Sequence, residues 1–532
     1  MSAIPRMAAR ASRTARLVAR MRAFLRGGPR LDPIRSRAAD ALFLPAAEAE
    51  NPVFVLRGHT QMLERRIDLW LPSYLSQALD RRRERWRRRD TTTHVLFLVC
   101  DHFEPRHRAK EEGQPAQRVQ RWREGYGELR SRCQQAFGHA PLHSWFYPPH
   151  HGYEHLFALA QYQFEGLGEI ELHYHHDGDT SESLRKNLRA VLDEYHSFGL
   201  LLESGAPPKP RFGFIHGDWA LDNSCNGKYC GVNDELTILQ ELGCWGDLTM
   251  PSANECQTRK VNSIYYAVDD PARPKSHDWG EDARVGRADP PGFFLMQGPL
   301  GINWRAPGYP RIENASITDE NWGRPDRIQK WLDCNVHVRG RPEWVFVKLH
   351  THGAVERDHD SLFGEKAFEM HRTLNQRFND GKRFRLHYVT AREAYNIAKA
   401  AEHGHAGDPS AYRDFRIAPN ATRYYLASTP HRLLHSTPTR VQLEVRDRAQ
   451  RTRVRLRTPG FVELEAEFAT LDVDSEGRTL RLGGCAPGST GRVVLSPGTR
   501  AASVNGAQHS AQENHALALS IESNDVVVTL GS

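Results

Sequence analysis

The sequence contains no apolar run long enough to cross a membrane. Its longest runs, such as Val95 to Cys100, have the length of a strand, whereas a transmembrane helix needs about 20 apolar residues. A hydrophobic segment of the secretory type is also lacking near the first residues. We therefore expect a cytoplasmic protein with no signal peptide and no transmembrane helix.

The eight cysteines are scattered along the chain and include no Cys-x-x-Cys pair. That spacing argues against a disulfide framework. Cys225 and Cys230 bracket Asn-Gly-Lys-Tyr. In one interpretation they clamp a loop or bind a metal, and in the other they are isolated thiols buried as small apolar side chains.

Acidic residues are missing before Asp32, whereas arginine recurs from Arg6 to Arg30. Apolar residues between positions 17 and 25 fall at helical spacing, so this basic arm could be an amphipathic helix in peripheral contact with the inner face of an anionic membrane. The alternatives are a solvated tail and a transit peptide. Nucleic-acid binding is disfavoured, because no known reading motif accompanies the net charge of +7.

The 532 residues are too many for one ordinary core. Changes in composition and periodicity predict four parts. These are a basic, partly helical arm over residues 1–90, an α/β domain over residues 91–405, a linker over residues 406–435 and an antiparallel β-sandwich over residues 436–532. The sandwich carries no clustered ligands, so it is either a purely structural appendix or a carbohydrate-contacting accessory.

Within the α/β domain, apolar strand-like runs alternate with helical segments, which implies a parallel sheet and, at this size, a barrel. Two helices have capping-box patterns at their starts, Asp179 with Glu182 and Thr390 with Glu393. The runs expected to be strands include His94–Val99, Ser144–Tyr147, Glu169–Leu172, Arg211–Ile215, Trp344–Leu349 and Arg385–Val389.

Histidine and aspartate follow four of these strands, which is the position of functional residues in a parallel barrel. Imidazole and carboxylate groups hold divalent cations, so we predict one shared metal site. The residues at the four strand ends are Asp101 and His102; His173, His175, His176 and Asp177; His216 and Asp218; and His350 and His352.

These motifs resemble those of the polysaccharide deacetylases, in order and spacing more than in identity, over about residues 93–401. The family's Asp-Asp pair corresponds to Cys100-Asp101-His102. Its two metal-binding histidines four apart correspond to His173 and Asp177, with His176 one residue short. The third motif corresponds to Gly213–Asp222 and the last, Leu-His, to Leu349-His350.

The resemblance implies a distorted (β/α) barrel that removes N- or O-acetyl groups from a poly- or oligosaccharide with water activated by zinc, cobalt, nickel or manganese. Asp101, His173 and either His176 or Asp177 would bind the metal; alternatively, Asp101 is the general base and His102 a ligand. His350 would protonate the leaving amine, and His216 would take over the orienting role of the family's arginine. The residues implied for substrate binding are Asp218, His352 and four aromatic residues on which a sugar could stack, Trp145, Tyr147, Trp219 and Trp245.

Two other functions stay open at this point. A glycosidase would use a carboxylate pair, Asp101 or Glu104 with Asp218 or Asp222. A catalytically silent barrel would instead bind polysaccharide or a partner protein of a glycan-assembly system.

Overall fold

The computed structural model describes residues 65–252, 254–308, 310–419, 424–426, 430–437, 440–474, 476–512 and 514–531. The basic helical segment expected near residues 17–25 lies outside them. The described chain consists of a mixed α/β part with a sheet rich in parallel strands, followed by a part made of antiparallel strands.

The α/β part contains fourteen named strands and nine α-helices, numbered here in chain order. The strands are β1 Thr93–His102, β2 His143–Tyr147, β3 Gly168–Tyr174, β4 Leu202–Glu203, β5 Lys209–Pro210, β6 Phe212–His216, β7 Cys244–Asp247, β8 Ile264–Ala267, β9 Glu281–Asp282, β10 Phe293–Met296, β11 Gly301–Asn303, β12 Arg311–Glu313, β13 Trp344–Thr351 and β14 Phe384–Tyr388. The helices are α1 Ile67–Arg87, α2 Gln114–Phe137, α3 Leu156–Phe164, α4 Ser181–His196, α5 Glu235–Glu241, α6 Pro325–Cys334, α7 His359–Leu362, α8 Glu365–Phe378 and α9 Ala391–Glu402.

The main sheet runs in the order β13-β1-β2-β3-β6-β7-β10-β8-β9. It is parallel from β13 to β10, and β8 and β9 add antiparallel strands. β14 pairs with the first half of β1, and β2 pairs with its last residues. The predicted parallel α/β sheet is confirmed. Among the described residues its hydrogen-bonded strands do not close into a ring, so a closed barrel is not shown.

The two faces of this sheet have different partners, because successive side chains of a strand point to opposite sides. On the outer face, Trp145, Leu172 and Phe214 pack with helices α2 to α5 in one buried cluster. On the inner face, residues such as Leu98 and Phe346 pack with the alanines of α9. The parity of a residue within its strand therefore decides which face receives its side chain.

One of the two predicted capping boxes has the predicted residues. Thr390 Oγ1 accepts a hydrogen bond from Glu393 N, and Glu393 Oε2 accepts one from Thr390 N. The other box lies one residue further along than predicted, because Thr180 is the N-cap residue of α4 and Ser183 completes the box. Asp179 is instead bonded through Oδ2 to His176 Nδ1, at 3.0 Å.

Helix α1 packs on the α/β part rather than standing apart as an arm. Trp70 is fully buried in a cluster with Leu300, Ile302 and Ile312. Arg88, just after the helix, donates a hydrogen bond to Asn335 Oδ1. Among the described residues, none of the helices combines the length and apolarity that spanning a bilayer requires.

The C-terminal part consists of two six-stranded antiparallel sheets around one buried apolar cluster. It begins earlier than predicted, because β15 and β16 fall inside the segment expected to be a linker. Its strands are β15 Tyr424–Leu426, β16 His431–Ser436, β17 Val441–Val445, β18 Thr452–Leu456, β19 Phe461–Ala466, β20 Thr470–Val473, β21 Thr479–Gly483, β22 Thr490–Leu495, β23 Ala501–Asn505, β24 Ala507–Ala511, β25 Ala516–Ile521 and β26 Asp525–Leu530.

Candidate functional site

The carboxyl ends of β1, β3 and β13 bring together a group of histidines around one carboxylate. We call Glu104, His173, His175 and His352 the mouth cluster. His173 has the parity of the inner face, since Leu172 and Tyr174 on either side of it pack outward. Glu104 is 7% exposed and His352 is 32% exposed, so the cluster is buried on one side and open to solvent on the other.

Three atoms of the mouth cluster converge. His173 Nε2 and His175 Nε2 are 3.0 Å apart. Glu104 Oε1 lies 3.2 Å from His175 Nε2 and 3.7 Å from His173 Nε2. Ligands of a tetrahedral zinc ion with bonds of 2.0–2.1 Å lie about 3.3 Å from one another. The three atoms are therefore spaced as ligands of one such ion would be.

The second nitrogen of each ring faces a hydrogen-bond acceptor. His173 Nδ1 is 2.9 Å from the carbonyl oxygen of Ile215, and His175 Nδ1 is 3.2 Å from Asp218 Oδ2. A carbonyl or carboxylate oxygen accepts only, so both Nδ1 atoms carry a hydrogen. Two neutral rings would then turn Nε2 lone pairs toward each other and toward Glu104. This is the arrangement in which metal-binding histidines are held by a carbonyl or a carboxylate behind them.

The electrostatics of the cluster favour a positive charge beside Glu104. Burial would raise the pKa of Glu104, but hydrogen bonds from three histidines lower it well below its usual range. Burial would lower the pKa of His175, but its bonds to Asp218 and Glu104 raise it to about 9. Without a bound cation, the raised pKa of His175 favours its imidazolium form. A divalent cation would supply the positive charge in its place.

Two further histidines lie beside the cluster on the inner face. The ring centroid of His102 is 4.7 Å from that of His173 and 4.8 Å from that of His352. Among the described residues, His102 Nε2 and His350 Nδ1 are buried atoms without a hydrogen-bond partner. The orphaned nitrogen of His102 is thus a further donor that could ligate an ion here.

The segment after β6 supports His175 from behind. A Cβ at Gly217 would lie 2.3 Å from His175 Cγ, so the ring packs where only glycine leaves room. Asp218 has φ +52°, in the left-handed region that non-glycine residues seldom adopt. The backbone here thus positions both the ring of His175 and the carboxylate that binds it.

Asp101 does not share the site with His102. It has the parity of the outer face, where Oδ2 lies 3.0 Å from His143 Nε2 and Oδ1 accepts a hydrogen bond from Gly353 N at 2.6 Å. The side chain is fully buried. Asp101 links β1 to the segment after β13 and lies on the face opposite the mouth cluster, away from the residues with which it was expected to bind a metal.

His176 and His216 lie together, but on the outer face. Their Nε2 atoms are 3.0 Å apart, and Glu235 Oε1 lies within 3.4 Å of both. His216 therefore does not contact the mouth cluster, and the single site expected from four strand ends is divided into two. Asp177 joins neither group, because it is exposed and its Oδ1 accepts a hydrogen bond from Tyr229 N.

Four aromatic residues were expected to stack on substrate. Trp145 and Tyr147 are fully buried in the core of the outer face, where Tyr147 Oη donates to the carbonyl of Gly152. Trp219 is half-buried directly after Asp218. Trp245 is buried in the cluster of the inner face, so of the four it is Trp219 that has surface to offer to a ligand.

The sequence offered His175 as a possible ligand and Glu104 as a glycosidase carboxylate, but it did not place His150 or Glu235 in the site. His150 lies beside the mouth cluster, with its ring 4.9 Å from that of His175. The alternation of β3 carries a usable signal, since His173 and His175 have one parity and His176 the other. No local signal marks Glu235, because it is 59 residues from His176. Neither a protein-family model nor a curated protein sequence matches the chain.

Proposed function

We propose that this protein is a metal-dependent hydrolase that removes N- or O-acetyl groups from a poly- or oligosaccharide at the mouth cluster. The α/β part would then be a distorted barrel of the polysaccharide deacetylase type. The curl of the sheet supports this, because Lys348 on β13 donates a hydrogen bond across the inner face to the carbonyl of Met250, at 2.9 Å.

The observation that carries the proposal is the 3.0 Å approach of His173 Nε2 and His175 Nε2 beside Glu104. Both rings are held in the tautomer that leaves Nε2 free to bind a cation. The donor set of two imidazoles and one carboxylate is the one used by catalytic zinc sites that leave a position open. We therefore assign Glu104, His173 and His175 as ligands, with zinc the ion that suits them best.

A divalent ion bound there supplies a Lewis acid for an acyl carbonyl and makes a water molecule more acidic. The protein's own contribution lies in positioning and in proton transfer. Asp218 fixes the ring of His175, and His352 Nδ1 is 3.0 Å from Glu104 Oε2. That bond uses the Nδ1 hydrogen of His352 and leaves Nε2 free to accept and return a proton.

This assignment gives His352 the proton transfer that the resemblance implies for His350. His350 is 5% exposed, whereas the side chain of His352 is 32% exposed and lies beside the carboxylate of the site. A residue that exchanges a proton with substrate must reach it. Trp219, next to Asp218, offers the aromatic surface on which sugars stack.

A glycosidase mechanism has less support. It needs two carboxyl groups that flank the scissile bond as separate acid and base. Glu104 and Asp218 are both bonded to His175 instead. Asp101 and Asp222 are fully buried on the outer face, where Asp222 accepts a hydrogen bond from Ser276 N.

The test combines metal content with acetate release. Purified wild-type protein, Glu104→Gln and the control Glu128→Gln, an exposed glutamate of α2, are analysed for bound metal and assayed on N-acetylated glucosamine oligomers and O-acetylated polysaccharide. We expect Glu104→Gln to lose one ion per chain and all acetate release, while Glu128→Gln matches the wild type. Acetate release by Glu104→Gln, or by wild-type protein that contains no metal, would contradict the mechanism. Wild-type protein that binds metal but is inactive on both substrates would contradict the substrate class.

A further inference from the structure

A second group of metal-ligating side chains lies on the outer face, and the proposed hydrolase reaction makes no use of it. It consists of His176, His216, Cys230 and Glu235, which we call the buried cluster. Their ligand atoms all lie within 4.8 Å of one another. Each of the four side chains is at most 3% exposed, so the group is closed to solvent in a way that the mouth cluster is not.

The distances within the buried cluster match those between ligands of one ion. His176 Nε2 is 3.0 Å from His216 Nε2 and 3.1 Å from Glu235 Oε1, and His216 Nε2 is 3.4 Å from the same oxygen. Tetrahedral coordination at 2.0–2.1 Å puts such atoms about 3.3 Å apart. Cys230 Sγ lies 3.6 Å from Glu235 Oε2 and adds the fourth donor.

In the buried cluster, both neutral imidazole rings carry their hydrogen on Nδ1. The Nε2 atoms and the Glu235 oxygen that face one another then have no hydrogen to share. His176 Nδ1 faces Asp179 Oδ2, and His216 Nδ1 faces the carbonyl of Gly217, so both Nδ1 atoms carry a hydrogen. Glu235 Oε2 accepts from Asp222 N at 2.6 Å. Neutral rings would then direct two Nε2 lone pairs and Glu235 Oε1 at one point, which costs free energy unless a cation lies there.

We propose that His176, His216, Cys230 and Glu235 form a second, closed divalent-cation site of structural type, suited to zinc. Zinc is a borderline-soft ion that binds imidazole, thiolate and carboxylate alike, and two imidazoles, one thiolate and one carboxylate would fill its tetrahedral shell and leave no open position. The carboxylate of Asp179 behind His176 and the carbonyl behind His216 are the supporting groups that such histidines have in metal sites.

The place of the site in the fold suggests what it does. Its ligands come from the end of β3, the end of β6, the loop over residues 217–234 and the first turn of α5. That loop has no regular element except two short 3₁₀ turns, and several of its non-glycine residues have positive φ. An ion held by groups at both ends of the loop would fix it, and with it Asp218, which supports His175 in the mouth cluster.

The competing explanation is a protonated His176 that donates Nε2–H to His216 and Glu235. An imidazolium would satisfy the same lone pairs without an ion. It would form no bond to Cys230 Sγ, so it would give no thiolate–metal absorption band. A thiolate bound to a metal does give such a band. Because the mouth cluster contains no cysteine, a thiolate–metal signal reports on the buried cluster alone.

The experiment uses the full chain reconstituted with Co²⁺, an optical probe that occupies zinc sites. Wild type, Cys230→Ser and the control Cys225→Ser are compared for metal content and for the thiolate-to-cobalt charge-transfer band. Cys225 is a matched control because it is a buried cysteine of the same loop outside the cluster. We expect about two ions per chain and the band in wild type and Cys225→Ser, and loss of the band in Cys230→Ser.

A second variant separates this site from the mouth cluster and does not depend on the folding of a core mutant. His175→Ala should lose one ion and keep the thiolate band, since His175 is not a ligand of the buried cluster. A wild-type protein that binds Co²⁺ without the band, or a band that persists in Cys230→Ser, would overturn the proposal and favour the imidazolium. A band lost in His175→Ala would also overturn it, because the two sites would then be one.

Discussion

His175 and His176 are neighbours in the chain, yet their imidazole rings belong to different clusters. His175 Nε2 is 3.0 Å from His173 on the inner face, and His176 Nε2 is 3.0 Å from His216 on the outer face. The end of β3 therefore supplies histidines to two groups that share no side chain. The backbone between these two residues and the loop that carries Asp218 connect the two groups.

The support that Asp218 gives to His175 should be measurable as metal affinity. In Asp218→Ala, His175 loses the acceptor behind Nδ1, and we expect the mouth ion to bind about 10- to 100-fold more weakly, as for other supporting groups of metal-binding histidines. Competition with a chelator measures the dissociation constant. Asp177→Ala is the control, because that carboxylate accepts from the backbone of Tyr229 and contacts neither cluster. Equal affinities in the two variants would refute the role of Asp218.

The packing of His175 on Gly217 leads to a steric prediction. In Gly217→Ala the new methyl group would lie 2.3 Å from His175 Cγ, so the ring must leave its position. We expect the mouth ion and acetate release to be lost while the thiolate–metal band of the buried cluster remains. Gly127→Ala in α2 should change neither, since nothing lies within 4 Å of a Cβ there. Full mouth occupancy in Gly217→Ala would show that the ring does not need its present position.

Asp101 gives a prediction about stability rather than turnover. Asp101→Ala removes the acceptor of the buried Gly353 N–H, and an unsatisfied buried donor costs about 1–3 kcal/mol. We expect the free energy of unfolding to fall by that amount, as measured with a denaturant, while both ions remain bound. If the variant is as stable as the wild type but inactive, the role of base or ligand implied by the family resemblance would be restored to Asp101.

Asp247 should make stability depend on pH near neutrality. Burial raises its pKa to about 7, although hydrogen bonds from Thr249 oppose the shift. In the unfolded chain the pKa is about 3.9. The folded state therefore binds the proton more tightly than the unfolded chain does. This contribution to the free energy of unfolding is complete below about pH 4 and is lost as the pH rises through 7. The free energy changes by at most about 1.4 kcal/mol per pH unit.

The measurement for Asp247 is the free energy of unfolding between pH 4.5 and 8, in wild type and Asp247→Asn, read from denaturant titrations at about half-unit steps of pH. The amide does not titrate, so the difference between the two proteins isolates this carboxyl group from the other buried acids. We expect the wild type to lose stability relative to Asp247→Asn as the pH rises. Parallel curves would mean that Asp247 is ionised in the folded state throughout.

The sequence by itself determined where many of the strands and helices lie along the chain. Buried runs such as His94–Val99 and Trp344–Leu349 have a local apolar signature, and the observed strands β1 and β13 contain them. The capping box of Thr390 and Glu393 is equally local, because both hydrogen bonds lie within one helical turn. Histidine and carboxylate at the strand ends could be recognised for the same reason.

Only the tertiary structure decided which of those residues meet. The pleat sends Asp101 outward and His102 inward, and the turn after β3 separates His175 from His176. Glu104 meets His352 across 248 residues, and Glu235 reaches His176 from the start of a helix whose position depends on packing. Such partners carry no local signal, because the free energy that brings them together comes from burial of the whole sheet and its helices and not from their neighbours in sequence.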